Sequence, residues 1–127
     1  MFGIVPQLTV RDVKRSVEFY VERFGFRATH LDPPDEPVFA ALEREDSNLF
    51  LVSEGSREEP YQVEDIKANK RGVGVRVYFE VDDARVVYND LKSSGVEILR
   101  EIATNEEEEY TEFSLLDPDG YEVGVYS

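Results

Sequence analysis

The feature that most constrains this chain is an internal repeat of a hairpin-like segment. Residues 113–127 read FSLLDPDGYEVGVYS, and residues 39–53 read FAALEREDSNLFLVS, a degraded copy of the same pattern. At one constant offset, Phe39, Leu42, Leu49, Val52 and Ser53 match Phe113, Leu116, Val123, Tyr126 and Ser127. A chain that contains one supersecondary unit twice is expected to fold as two similar modules.

The later copy contains a strong turn signal. The Asp-Pro-Asp-Gly sequence at 117–120 combines a proline that presets φ, aspartates that accept bonds from nearby amides, and a glycine that tolerates positive φ. Runs with high β-propensity lie on both sides, at 113–116 and 121–126. The segment is therefore predicted to be a β-hairpin.

Each hairpin follows a strand, a helix and a second strand. The sequences VRD at 10–12 and VDD at 81–83 are equivalent strand-to-helix junctions, with Asp12 and either Asp82 or Asp83 as helix N-caps. Glycines at 25 and 95 are expected to end the two helices. The predicted strands are 4–10, 26–30, 38–42, 49–53, 74–81, 96–99, 113–116 and 121–126. The sequence thus predicts a single domain of residues 1–127, with βαβββ modules at 1–53 and 73–127.

The linker between the modules is predicted at 54–72. It is rich in charges and contains Pro60 and Gly72, whereas Tyr61, Val63 and Ile66 allow it to pack as a short helix or flap. A separate acidic loop is predicted at 105–109, before the last hairpin.

Composition narrows the classes of function. Twenty-eight acidic and 14 basic side chains give a net charge of −14, which repels nucleic acid and anionic membranes and attracts cationic ligands. Solubility is the expected main role of this acidity. No apolar run reaches the roughly 18 residues of a membrane span, and MFGIVPQL does not resemble a secretion signal. With zero cysteines, thiolate chemistry is excluded, and we expect a cytoplasmic protein.

Several of these segments resemble one known superfamily. A strand running into VRD at 10–12, a helix carrying FY at 19–20, and FGF at 24–26 resemble the opening of the vicinal oxygen chelate superfamily. This group contains the glyoxalases, bleomycin-resistance proteins and extradiol dioxygenases. Residues 116–123, LDPDGYEV, resemble its ending. The resemblance covers essentially the whole chain and implies an α+β fold, in which two βαβββ modules curl their mixed sheets into an open, ligand-binding cup. It also implies a homodimer.

The resemblance further implies where a metal would lie. Enzymes of the superfamily hold a divalent metal with His and Glu from the first and last strands of each module. The equivalent positions here are Val5, Phe50, Arg76 and Gly124. None of these side chains supplies an imidazole or a carboxylate, and Glu80 and Glu122 beside them lack supporting ligands. The single histidine, His30, is expected to be structural or solvent-facing. We therefore expect no metal and no other cofactor.

Strand periodicity predicts which residues line a metal-free cup. In 74–81 the valines and phenylalanine alternate with Arg76, Tyr78 and Glu80, which then share the opposite face. The last strand places Glu122 and Tyr126 on that face by the same alternation, and the resemblance adds residues of the first module. The predicted ligand-binding residues are Gln7, Thr9, Phe50, Arg76, Tyr78, Glu80, Glu122 and Tyr126. Alternatively, Arg76 forms a salt bridge with Glu80 or Glu122 and fills an unused cup.

Three functions fit these residues. The favoured one is metal-free binding of a small organic molecule, cationic or amphipathic, for which the bleomycin-resistance proteins suggest antibiotic sequestration. The second is a metal-dependent lyase, isomerase or dioxygenase, which the four non-ligand positions disfavour. The third is a metal-free enzyme or a sensor, in which Arg76 stabilises an anion and Glu80 or Glu122 acts as base. The residues favour binding over catalysis, and no catalytic residue is assigned.

Overall fold

Each half of the chain folds as the predicted βαβββ arrangement. The computed structural model describes residues 3–56 and 63–127, and the chain divides into two compact units, Met1–Lys70 and Arg71–Ser127. The first unit contains β1 (Gln7–Val10), α1 (Val13–Phe24), β2 (Arg27–Asp32), β3 (Phe39–Arg44), β4 (Ser47–Ser53) and α2 (Val63–Ala68). The second contains β5 (Arg76–Glu80), α3 (Ala84–Ser93), β6 (Ile98–Asn105), β7 (Tyr110–Leu116) and β8 (Glu122–Tyr126). None of the helices in these described ranges is long and apolar enough to cross a membrane.

The two sheets share one topology. Each is an open, four-stranded mixed sheet, in the order β1-β4-β3-β2 in the first unit and β5-β8-β7-β6 in the second. In each, the first strand runs parallel to the last, and the other neighbours are antiparallel. The predicted α+β class, the duplication and both hairpins are therefore confirmed.

The first unit buries one face of its sheet under α1. The carboxylate of Asp12 caps the helix by accepting a bond from the Arg15 amide (3.1 Å), and Gly25 ends it in the left-handed region at φ 71°. The buried side chains of this helix face a core that contains Leu8, Val10 and Leu51. Alternate residues of β1 consequently point to the opposite face of the sheet.

The second unit repeats this packing with α3. Asp83, and not Asp82, is the N-cap, because its carboxylate accepts the Arg85 amide at 2.9 Å. The ring of Tyr88 on α3 packs edge-to-face against Phe113 on β7, with centroids 5.2 Å apart. Phe113, Leu115, Val123 and Val125 are buried on this side of the sheet. The residues between them on β7 and β8 face the other side.

Several predicted strand boundaries were wrong. β7 begins at Tyr110 and not at Phe113, and β5 covers only Arg76–Glu80 of the predicted 74–81. The first strand begins at Gln7 and not at Ile4, after Pro6, whose carbonyl accepts the Phe50 amide. β6 extends to Asn105, well beyond the predicted 96–99, so only 106–109 form the turn before β7. Its pairing with β7 is irregular at two places, between Ile98 and Arg100 and again before Ala103. These irregularities break the alternation of apolar and polar residues that a sequence reading relies on.

The two copies of the repeat are not related by one constant offset, contrary to what the sequence indicates. Val52 pairs with Phe39, but Tyr126, its match in the repeat, pairs with Glu112 and not with Phe113. The offset between β3 and β7 is therefore one residue smaller than that between β4 and β8. As a result, Glu112 and Ser114 share the face of Tyr126.

The predicted linker contains α2, whereas its residues 57–62, with Tyr61, lie outside the described residues. The predicted turn at 117–120 is present. Oδ1 of Asp117 accepts the amides of Asp119 and Tyr121, both at 2.9 Å. A buried ion pair between Arg71 and Asp119 (3.8 Å) ties this turn to the start of the second unit.

Candidate functional site

The face of the second sheet that lies opposite α3 carries a group of polar and aromatic side chains, which we call the polar face. It is formed by Arg76, Tyr78, Glu80, Arg100, Glu112, Ser114, Glu122 and Tyr126. These residues come from all four strands, and those on β7 and β8 alternate with the buried apolar residues. The predicted residues Arg76, Tyr78, Glu80, Glu122 and Tyr126 thus lie on one face of the second sheet.

Glu122 is the centre of an ionic cluster. Its Oε2 accepts bonds from Nε of Arg76 (2.9 Å), Nε of Arg100 (2.9 Å) and Oγ of Ser114 (2.7 Å). Burial, which leaves its side chain 17% exposed, acts to raise the pKa of Glu122. The bonds from Ser114, Arg100 and Arg76 outweigh burial and lower the pKa below its ordinary value. The carboxylate therefore stays charged, and it suits the role of an anchor better than that of a base.

Tyr78 links this cluster to a second carboxylate. Its hydroxyl accepts a bond from Nη1 of Arg76 (2.9 Å) and donates one to Oε2 of Glu112 (3.2 Å). The Arg76 guanidinium carbon also lies 5.6 Å from the centroid of the Tyr78 ring. The Tyr78 hydroxyl first, and then Glu122, raise the pKa of Arg76, so this side chain is a permanent cation. Of the two carboxylates predicted as its partner, Glu122 is the one in contact.

The ionic cluster around Glu122 forms one end of the polar face. The other end combines aromatic rings with carboxylates, and we call it the acid–aromatic end; it consists of Tyr78, Glu80, Glu112 and Tyr126. The rings of Tyr78 and Tyr126 meet edge-to-face, with centroids 5.9 Å apart. Tyr126 is paired directly with Glu112 on one side and with Glu80 on the other. Within residues 3–56 and 63–127, no lysine or arginine forms an ion pair with Glu80 or Glu112. This end therefore offers negative charge beside exposed aromatic surface.

A groove is lined by residues of both the ionic cluster and the acid–aromatic end. Its volume is about 190 Å³, and its walls include Arg76, Tyr78, Arg100 and Glu112. Glu101 lines it as well, but the Glu101 carboxylate accepts a bond from Tyr88 and lies 3.7 Å from Nζ of Lys92. The groove is smaller than the roughly 300–1,000 Å³ of sites that enclose a drug-sized ligand, so it fits one substituent of such a molecule.

The first unit places the other predicted residues on its own sheet. Gln7 pairs with Phe50, and Thr9 pairs with Val52, on the face opposite the buried Leu8. The Phe50 ring packs edge-to-face on Phe39 at 5.3 Å, and Phe39 lies 6.2 Å from the imidazole of His30. The equivalent face of the first sheet is therefore mainly aromatic, whereas the polar face of the second sheet is charged.

The positions at which the superfamily holds its metal do not fit a divalent cation. Val5, Phe50 and Arg76 have side chains without a suitable donor atom, and Gly124 has no side chain. The guanidinium of Arg76 is already bound to Glu122, and the ring of Tyr78 lies against Gly124. Elsewhere in the described ranges, His, Asp and Glu side chains form no group of three or more that could hold a metal ion.

Sequence reasoning missed Arg100, Glu112 and Ser114. For Glu112 and Ser114 a signal was present, because they alternate with the apolar Phe113 and Leu115. For Arg100 the pairing irregularity next to it removed that signal.

These features define a class of protein: an α+β chain of two βαβββ units whose second sheet carries an ionic and aromatic face in place of metal ligands. The chain belongs to the glyoxalase/bleomycin resistance protein/dioxygenase superfamily, whose family model matches residues 4–125. The suspected resemblance is thereby confirmed. No curated protein matches the chain in sequence.

Solved structures share the fold over nearly the full length. TioX from Micromonospora sp. ML1 matches with a TM-score of 0.73 and 19% identity, covering 98% of this chain and 94% of that one. UcmS2 matches with a TM-score of 0.77 and 19% identity, over 96% and 94%. A virulence protein of Salmonella typhimurium matches with a TM-score of 0.71 and 20% identity, over 98% and 94%. At these identities the likeness shows the fold alone.

Proposed function

We propose that this protein binds a small organic cation, without a metal, at the acid–aromatic end of the polar face. The proposal rests on one observation: the Glu112 carboxylate is held in place beside aromatic rings but forms no ion pair with a basic side chain of the described residues. This carboxylate is oriented by the Tyr78 hydroxyl at 3.2 Å and lies directly opposite Tyr126.

The chemistry of this end favours an ammonium group. Aromatic faces attract cations by about 0.5–2 kcal/mol, and a carboxylate beside them adds a direct ion pair. An anionic ligand would need a guanidinium, but Arg76 and Arg100 both donate to Glu122. The net charge of −14 acts in the same direction, because it attracts cations at long range.

The family-implied biological role is sequestration of an antibiotic, carried out by a cytoplasmic homodimer. The metal-free binding mode is supported by the residues at the four family positions, and the lowered pKa of Glu122 weighs against a catalytic base at that position. Sedimentation of the purified protein tests the dimer, since a monomeric mass at micromolar concentration would remove it from the proposal.

The binding proposal is tested by calorimetric titration of dialysed protein with three small probes. Benzyltrimethylammonium, benzyl alcohol and benzoate share one aromatic ring and differ in charge. We expect benzyltrimethylammonium to bind at least about tenfold more tightly than benzyl alcohol, a difference of about 1.4 kcal/mol, and benzoate to bind most weakly. Metal-free and copper-loaded bleomycin are titrated in parallel to test the antibiotic role.

A matched pair of variants assigns the cation to its site. Glu112→Gln and Asp90→Asn each remove one negative charge, but Asp90 is exposed on α3, which packs on the other face of the sheet. We expect Glu112→Gln to weaken the affinity for benzyltrimethylammonium at least fivefold. Asp90→Asn should change this affinity by less than twofold. Equal effects of the two variants, or equal affinities for the three probes, would contradict the proposal.

A further inference from the structure

We infer that Gly124 is a positioning residue for this site. The missing side chain at position 124 is what lets the Tyr78 ring lie against β8, with its hydroxyl between Arg76 and Glu112. The geometric part of the inference stands on its own, and its consequence for binding rests on the proposed function.

The contact between Gly124 and Tyr78 leaves no room for a methyl group. A Cβ at position 124 would lie 2.6 Å from Cε1, 2.7 Å from Cδ1 and 3.0 Å from Cζ of the Tyr78 ring. The backbone of Gly124 lies outside the left-handed region, unlike that of Gly120 at φ 95°. The three atoms nearest to that Cβ all belong to Tyr78, and any L-residue can adopt an extended backbone. The tyrosine ring, and not the backbone conformation, is therefore what requires glycine here.

The first unit provides an independent comparison. Tyr78 and Gly124 are direct cross-strand partners of the parallel pair β5–β8. Their equivalents in the parallel pair β1–β4 are Gln7 and Phe50, which are also direct partners. The large ring comes from the first strand in one unit and from the last strand in the other. Both units therefore place one ring at this cross-strand position, and the partner residue is the smaller one.

The position of the ring decides what the polar face can do. With the ring against Gly124, the Tyr78 hydroxyl reaches Nη1 of Arg76 at 2.9 Å and Oε2 of Glu112 at 3.2 Å. The same placement sets the edge-to-face contact with Tyr126. A side chain at 124 would push the ring away and uncouple Glu112 from the ionic cluster. Gly124 thus acts on a ligand through Tyr78 and without touching it.

The experiment introduces Gly124→Ala into the wild type and into a Tyr78→Ala background. The placement of the ring is read by NMR without ligand, from the ring-current shift of the Gly124 Hα protons in the wild type and its loss in Tyr78→Ala. In the Gly124→Ala variant the same ring is followed through its nuclear Overhauser contacts with residue 124 and with Tyr126. Affinity for benzyltrimethylammonium is measured by calorimetry, and stability by the thermal midpoint.

We expect Gly124→Ala in the wild type to displace the Tyr78 ring and to lower the thermal midpoint. The affinity for benzyltrimethylammonium should fall at least fivefold. In the Tyr78→Ala background the same substitution should leave the midpoint unchanged or raise it, because the obstructing ring is gone and alanine is favoured over glycine in a strand. Gly55→Ala is the matched control. Its Cβ meets no atom within 4 Å and its backbone is not left-handed, so it should be neutral in both backgrounds.

A second variant separates ring placement from folding. Tyr78→Gln combined with Gly124→Phe transplants the pair of the first unit into the second. We expect this double variant to fold with a midpoint well above that of Gly124→Phe alone, yet to lose cation binding, because the tyrosine hydroxyl is gone. If the double variant is no more stable than the single Gly124→Phe, the claim that this cross-strand position holds one ring beside a smaller partner is wrong.

The outcomes distinguish this inference from the proposed function. If wild-type protein binds no cation, the proposed function fails, while the NMR shifts and the midpoints still test Gly124. If the wild type binds but Gly124→Ala retains affinity within twofold, or if the midpoint falls equally in both backgrounds, Gly124 does not act through Tyr78 and the inference is wrong.

Discussion

One carboxylate oxygen holds two guanidinium groups and a hydroxyl together on the polar face. Oε2 of Glu122 accepts from Arg76, Arg100 and Ser114 within 2.9 Å. Without that negative charge, the two cations, which come from the edge strands β5 and β6, would lie close together without a neutralising group, and the buried Ser114 hydroxyl would lose its charged acceptor. The loss of a charged partner at a partly buried site costs more than the loss of an exposed surface pair.

Glu122→Gln should therefore lower the free energy of unfolding at pH 7 by about 1–3 kcal/mol. The pKa of Glu122 is lowered in the folded state, so its contribution to stability is present above the unfolded pKa of about 4.3 and is lost as pH falls through the folded pKa. Urea unfolding between pH 7 and pH 3 should show the gap between wild type and variant closing below about pH 4. A gap independent of pH would argue against a charge effect, and Glu36→Gln, at an exposed position, is the control.

At the scale of the elements, one aspartate caps the start of α1 and another caps the start of α3. Asp83→Ala should lower the free energy of unfolding by about 0.5–2 kcal/mol, because the Arg85 amide loses its acceptor. Asp82→Ala removes the same charge one residue earlier and should change stability by no more than about 0.5 kcal/mol. Urea unfolding of both variants measures the difference. Similar losses would show that the effect is one of helix-end charge and not of capping.

How far the elements could be predicted depended on how local their signals were. Asp12, Gly25 and the turn at 117–120 act within a few residues of their own position, and the structure confirms all three. The end of β6 and the carboxylate partner of Arg76 depend on cross-strand register. Register is set by contacts far apart in sequence, and an irregularity shifts it without leaving a local signal. Glu112 was missed because the strand was predicted to begin at 113, whereas β7 begins at Tyr110.

At the scale of the whole molecule, the dominant fact is a net charge of −14. Carboxylates outnumber basic groups two to one, so they repel each other on average, and this repulsion destabilises the folded state relative to the expanded chain. One concentration of this charge is the hairpin tip at 106–109, which reads EEEE. Its backbone is held by Asn105, whose Oδ1 accepts the amides of Glu107 and Glu108. The glutamate side chains are therefore dispensable for the turn.

Replacing Glu106, Glu107 and Glu108 by glutamine should raise the thermal midpoint at low salt, because three negative charges are removed while the Asn105 bonds to the backbone remain. Raising NaCl from 0.02 to 0.3 M should raise the wild-type midpoint, since the screening length falls to less than about 10 Å above 0.1 M. The variant should respond less, and the two midpoints should converge at high salt. Scanning calorimetry at pH 7 measures both, with Glu36→Gln as a single-charge reference. A midpoint gap that persists at 0.3 M NaCl would locate the effect in the local turn and not in the charge of the molecule.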